Sequence, residues 1–241
     1  MRIKTSNKIL LAAGITPVLI IFITLLILKI MMSGDNVKAI ASSSDPGPQT
    51  IKIIDLDEFD KISVMGSWTV HIIQGINYKV IINAPQNVID KISVKRGGAT
   101  LFIDENQQVF SRLNNTYLEA TITLPLISEL NTNGVINLDL LEIKNDSLTL
   151  NMAGVTKISA SSCTIHNLYL TENGVSTIDL SGVPIVNANV LCEGTFNIDL
   201  LMNGGLFSGN LNGVGILSYK GDVSKNEIQV NSPMSRIVHR N

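Results

Sequence analysis

The chain has 241 residues, of which 45% are hydrophobic and 16% charged, and its mean hydropathy is +0.29. An ordinary soluble domain carries about a quarter charged residues, so part of this chain is built for lipid or for a surface with little charge. Six Phe, four Tyr and one Trp argue against a core built on rings, the high aliphatic content argues against a disordered chain, and two cysteines exclude a disulfide-rich scaffold.

Residues 9–28, ILLAAGITPVLIIFITLLIL, form a run of 20 residues without a charge between Lys8 and Lys29. At a helical rise of about 1.5 Å per residue the run spans roughly 30 Å, the thickness of a bilayer core. Gly14 and Pro17 inside it are tolerated in membrane helices. Arg2, Lys4 and Lys8 precede the run, so the positive-inside rule makes residues 1–34 a cytoplasmic N-terminus and single-pass anchor in the cytoplasmic membrane. The rest then lies outside, in the periplasm or at the cell surface. A cleaved secretory signal competes, through the small-x-small site Ala39-Ile40-Ala41. The length of the apolar run and its distance from that site favour the uncleaved anchor.

Residues 35–50, DNVKAIASSSDPGPQT, have no periodic apolar face and read as a linker. Four of the 18 basic residues and no acidic ones fall in residues 1–34, which leaves 14 basic against 20 acidic beyond them, a net of −6. Such a domain is a poor match to nucleic acid.

From residue 51 to 241 apolar and polar residues alternate, the period of a strand. Up to about Asn115 the pattern predicts hairpins or short strands leading into something more regular. Near Tyr117 a repeat begins. Gly134, Gly154, Gly174, Gly194 and Gly213 recur at intervals of 20, 20, 20 and 19 residues, and a fixed period of this length with strand-like alternation inside it marks a β-solenoid. Four residues after each glycine stand Leu138, Ile158, Ile178, Ile198 and Leu217. Two further on come Leu140, Ala160, Leu180, Leu200 and Tyr219, and four before each glycine lie Leu130, Leu150, Leu170, Val190 and Gly209. Stacked rungs turn these into apolar ladders along the coil, in an interior with little room for rings. The glycines are expected at corners with positive φ, and Asn133, Asn173 and Asn212 before them are placed to hydrogen-bond from rung to rung. Residues 226–241 are expected to supply a last imperfect strand that caps the coil.

The segment Phe59-Asp-Lys-Ile-Ser-Val-Met-Gly-Ser-Trp-Thr-Val-His-Ile-Ile-Gln-Gly, then Leu124-Pro-Leu-Ile-Ser-Glu-Leu, the glycine repeats, and Ile216-Leu-Ser-Tyr-Lys-Gly together resemble the autotransporter-adhesin head domain called the GIN domain, over about residues 59–225. That resemblance implies a right-handed parallel β-helix-like fold in the bacterial cell envelope, without accepted catalytic residues. The family shows small-Gly-small-Gly at its corners, a pattern approached here by Gly213-Val214-Gly215.

Five residues after each glycine the column reads Asp139, Ser159, Asp179, Asp199 and Ser218. Asp139, Asp179 and Asp199 are the candidate cation or polyol ladder, weighed against a plain solvated face because calcium takes six to eight oxygens, usually from a loop. His71, His166 and His239 lack zinc spacing and read as surface residues. Cys163 and Cys192 fall about half a turn apart and read as buried free thiols. No Gly-x-Ser-x-Gly, Walker or dinucleotide motif is present, and uniform rungs leave no long loops to wall a catalytic groove. The sequence therefore reads as an all-β parallel solenoid behind a transmembrane helix, a non-enzymatic module with no cofactor. Its expected partners are the membrane, an envelope protein or glycan, and a second copy through the solenoid ends. The alternatives are a polysaccharide-processing β-helix enzyme and an envelope-stress scaffold.

Overall fold

The computed structural model of the chain describes residues 47–105 and 117–240, all in one unit. The expected anchor at residues 9–28 and most of the linker lie outside the described residues. Among the described residues no helix is long and apolar enough to cross a membrane.

Among the described residues strand-forming alternation is realised as a single 14-stranded sheet coiled into a β-solenoid of about six turns. The regular rungs are built from β7 (Glu129–Leu141), β8 (Lys144–Ser161), β9 (Thr164–Cys192), β10 (Thr195–Asn203), β11 (Leu206–Leu211) and β12 (Val214–Asp222). All pair in parallel, with Leu138, Ile158, Ile178, Ile198 and Leu217 side by side in the register read from the sequence. Each of the five is buried. The coil continues through β13 (Lys225–Val230) and β14 (Ser235–His239), which pair in parallel with β11 and β12. The C-terminal stretch thus adds two strands of a further rung where one capping strand was expected.

The solenoid also begins earlier than the 20-residue spacing indicates. β2 (Lys61–Gln74) lies parallel to β7 and in register with it, Gly66 beside Gly134 and Val70 beside Leu138. It is a full rung, separated from the next by an excursion in which β3 (Lys79–Pro85), β4 (Ile92–Gly97), β5 (Thr100–Glu105) and β6 (Glu119–Leu124) form. β5 and β6 return to the other edge of β2 and pair with it in parallel. β4, β3 and the edge strand β1 (Gln49–Ile54) then add in antiparallel fashion.

Rings occupy more of the interior than the narrow coil suggests. Phe59, Trp68, Phe196, Phe207 and Tyr219 are buried, because neighbouring rungs supply small residues beside them. Phe196 stacks between Ser176 and Gly215, and Phe207 lies next to Ala188. Trp68 donates its indole N–H to the Met65 carbonyl at 3.1 Å, which satisfies the one polar atom the ring brings inside.

Tight turns fall at residues other than the repeat glycines. Glu142 and Ser162, twenty residues apart, hold φ of 60° and 57°, a left-handed conformation that costs a non-glycine residue on the order of 1 kcal/mol or more. Both precede a buried residue, Ile143 and Cys163, so each turn carries the chain from one face of the coil to the next.

Both cysteines are buried free thiols. Cys163 accepts a hydrogen bond from the Ile143 N–H at 3.3 Å and donates to the Ser161 carbonyl at 3.2 Å. Burial pushes the Cys163 thiol up, and it pushes the Cys192 thiol up to about 12, with the Glu172 carboxylate adding to the effect. Since the thiolate is the reactive species, an aromatic disulfide reagent at about pH 8 is expected to label neither thiol in the folded protein and both in denaturant. Fast labelling of the native protein would contradict this packing.

Candidate interaction face

The repeat glycines stack into one continuous edge. Gly66, Gly134, Gly154 and Gly174 are direct neighbours across β2, β7, β8 and β9, and Gly194 and Gly213 continue the line. Positive φ explains Gly134 (132°) and Gly154 (89°). At Gly174, Gly194 and Gly213 the requirement is close approach. A Cβ at each would meet the carbonyl oxygen of the preceding glycine at 2.1, 2.0 and 1.9 Å.

Behind this edge runs a buried polar seam. Inward positions two residues before the glycines hold Thr132, Met152, Glu172 and Cys192, and those two residues after hold Thr156 and Ser176. The hydroxyls of Thr132 and Thr156 lie 3.2 Å apart. Glu172, 1% exposed, accepts hydrogen bonds from the Gly174 N–H at 2.8 Å and the Gly194 N–H at 3.2 Å. Burial nevertheless holds its carboxyl above the usual carboxylate range, outweighing the two donors. Sequence reasoning passed over Glu172; counting in steps of two from buried Leu170 places it inside.

The structure brings the aspartate column together but gives each carboxylate its own partner. Asp139, Ser159, Asp179 and Asp199 are neighbours in successive rungs. Asp139 accepts from the Ser159 hydroxyl and contacts His71 Nδ1 at 3.0 Å. Asp179 accepts from the Ser181 hydroxyl at 2.6 Å and its N–H at 3.1 Å, which hold its carboxyl below the usual range. Asp199 pairs with Arg240 at 2.8 Å. Ser218, at the end of the column, is buried. Among the described residues no three of His, Cys, Asp or Glu are grouped so as to hold a metal ion.

His71 joins this column through an interaction the sequence did not signal. Its Nε2 lies 3.1 Å from Glu119 Oε1, and Asn83 donates to the other Glu119 oxygen at 3.0 Å. The ring therefore bridges β6, β2 and β7 where the excursion rejoins the regular rungs. His71→Ala leaves two half-buried carboxylates without that partner and is expected to cost about 1 kcal/mol, measured by urea unfolding. No change would show the bridge to be solvated. His166 lines a shallow groove with Lys144, Asn145 and Pro184. His239 stacks on Tyr219, centroids 4.6 Å apart.

Two outward surfaces meet along the glycine edge. On one side Val135, Val155 and Val175 stack in register, and they are 52, 49 and 51% exposed. Thr195 and the exposed Val214 extend the stripe. On the other side the outward positions are mainly amides and hydroxyls. Asn151 donates to Asn131 Oδ1 at 2.9 Å, Asn189 donates to the Ser208 hydroxyl at 3.0 Å, and Asn231 donates to Asn212 Oδ1 at 2.8 Å. Of the three asparagines expected to form ladders, Asn212 does so with Asn231; the other rung-to-rung pairs are Asn131 with Asn151, three residues before the glycines, and Asn167 with Asn187. Tyr169 stands half-exposed on the same face.

A parallel solenoid with a stacked glycine edge, an exposed valine stripe and a face of ordered amides defines the class of the protein as a repeat solenoid. The chain belongs to the family described as putative auto-transporter adhesin, head GIN domain, whose family model matches residues 58–235. Its fold is similar to that of a putative adhesin from Bacteroides fragilis, with a TM-score of 0.61 at 16% identity, covering 80% of this chain and 97% of that one. It is also similar to a putative adhesin from Parabacteroides merdae, with a TM-score of 0.52 at 15% identity, covering 81% and 97%. At these identities the likeness is one of fold. Comparison with curated proteins yields no match.

Proposed function

We propose that the protein is a non-enzymatic, adhesin-like interaction module outside the cytoplasm. In this reading residues 1–34 anchor it in the cytoplasmic membrane, residues 35–50 tether it, and residues 51–241 present the solenoid to the envelope or the cell exterior. The observation that carries the reading is the exposed valine stripe beside the glycine edge. Apolar side chains aligned on consecutive rungs keep a contiguous patch in water, a cost that a binding partner removes. Membership of the GIN family and its adhesin description support the same reading, as does the net charge of −6 over residues 35–241, which disfavours nucleic acid.

The test is adhesion of the full chain to whole cells and to immobilised envelope extract, compared with a Val155→Lys, Val175→Lys double variant. Both positions face water, so the variant keeps its fold by circular dichroism. Saturable binding by the parent and its loss in the variant are expected. Equal binding by both would remove the stripe from the interface.

A further inference from the structure

Resting on the reading of this chain as an interaction module, we propose that the amide face binds a neutral, extended glycan laid along the solenoid axis. Ser63, Asn131, Asn151 and Thr171 occupy one outward column on four successive rungs. Each therefore offers an uncharged hydrogen-bonding group at intervals of about 4.8 Å, the strand spacing, comparable with the length of one sugar ring in an extended chain. A relay fixes the orientation of the two asparagines. Glu129 Oε1 accepts from the Asn131 amide at 3.0 Å, and Asn131 Oδ1 accepts from the Asn151 amide at 2.9 Å. That directionality leaves Asn151 Oδ1 as an acceptor, followed on the next rung by exposed Thr171, whose hydroxyl serves as donor and acceptor.

Beside this column Tyr169 pairs in register with Thr149 and exposes half its surface. An aromatic ring flanked by hydroxyl and amide groups matches the two surfaces of a pyranose: the apolar C–H face stacks on the ring while the equatorial hydroxyls reach the amides. Because the relay already holds the amides in place, binding orders few side chains, the cost that otherwise weakens polar interfaces. The charges here exclude other occupants. Lys61 and Glu129 neutralise each other at 2.9 Å at one end of the face, and the positions around Tyr169 and Asn151 carry Thr149, Thr171, Ala153 and Asn173. Exposed Glu193 follows Asn173 on the next rung and repels an anionic partner, and an acyl chain would strand the amides without water.

The experiment titrates the full chain with cellohexaose, laminarihexaose and mannohexaose by calorimetry, alongside Tyr169→Ala, Asn151→Ala and Asp179→Asn on the opposite side of the glycine edge. Saturable binding of at least one hexasaccharide is expected, with affinity reduced about tenfold or more in each of the first two variants, the worth of one stacking contact or hydrogen bond, and unchanged in Asp179→Asn. Thr171→Val, which keeps the β-branched shape, is expected to weaken binding as well and serves if Asn151→Ala unfolds. Binding that survives Tyr169→Ala and Thr171→Val overturns the inference. So does adhesion of the full chain to cells or to an envelope protein with no affinity for any of the three glycans, a result that leaves the interaction module standing. Glycan binding without adhesion removes the module reading alone.

Discussion

Gly174→Val is expected to stop the protein from folding, or to lower its stability by on the order of 4 kcal/mol or more, a large part of what a domain of this kind has. The added Cβ would lie 2.1 Å from the Gly154 carbonyl oxygen, 2.8 Å from its nitrogen and 3.0 Å from its carbonyl carbon. All three are backbone atoms, fixed by the β8–β9 ladder, so no side chain can rotate away to relieve the overlap. Relief requires opening the gap between rungs beyond its normal spacing of about 4.8 Å, which breaks the ladder locally. Repetition makes the defect worse, because Gly194 stacks on Gly174 as closely as Gly174 stacks on Gly154. Gly182→Ala is the control: its Cβ would meet nothing within 4 Å, and its effect is expected to stay within about 0.5 kcal/mol. Soluble yield and thermal unfolding decide between them. A Gly174→Val protein that melts within a few degrees of the parent would refute the close-approach argument.

The apolar ladders were legible because a strand has a period of two and the coil a period of twenty, so Leu138 to Leu217 fall into one column by counting alone. Gly66 escaped because 68 residues separate it from its neighbour Gly134, yet its flanks follow the repeat. Trp68, Val70 and Ile72 take the inward places of Ile136, Leu138 and Leu140. The corners were half placed: Gly134 and Gly154 hold positive φ as expected, but Gly174, Gly194 and Gly213 do not. Glycine was expected wherever φ is positive, but the turns at Glu142 and Ser162 tolerate left-handed side chains facing water, whereas the stacked edge excludes any Cβ. Two polar contacts of the aspartate column come from partners far away in sequence: His71, on the adjacent rung 68 residues earlier, reaches Asp139, and Arg240 reaches Asp199. Such pairs have no local spacing to read. The GIN resemblance, by contrast, rested on motifs along most of the solenoid, and the family match spans them.

Glu172 is expected to give the solenoid a pH dependence opposite to that of an ordinary salt-bridged acid. Its folded carboxyl is held above the unfolded value by burial, so between the two values the folded state binds more protons than the unfolded state. The stability this contributes is full below the ordinary carboxylate range and is lost as pH rises through the raised value. Glu105, also buried and shifted upward by burial, acts in the same direction. Asp179 and Glu129 act in the opposite one. Hydrogen bonds from Ser181 and from Lys61 depress their carboxyls, and their contribution disappears as pH falls through those depressed values. Unfolding free energy measured in urea from about pH 4.5 to about pH 8 should therefore decline across that interval, and Glu172→Gln should flatten the decline. The glutamine keeps an acceptor for the Gly174 N–H while carrying no charge to bury. Glu172→Ala separates the hydrogen-bonding role from the charge, because it leaves the N–H groups of Gly174 and Gly194 without their acceptor in the seam. It should cost about 2 kcal/mol at the acidic end of the range. Parallel pH profiles for the parent and Glu172→Gln would mean that the carboxylate reaches water, and would remove it from the buried seam.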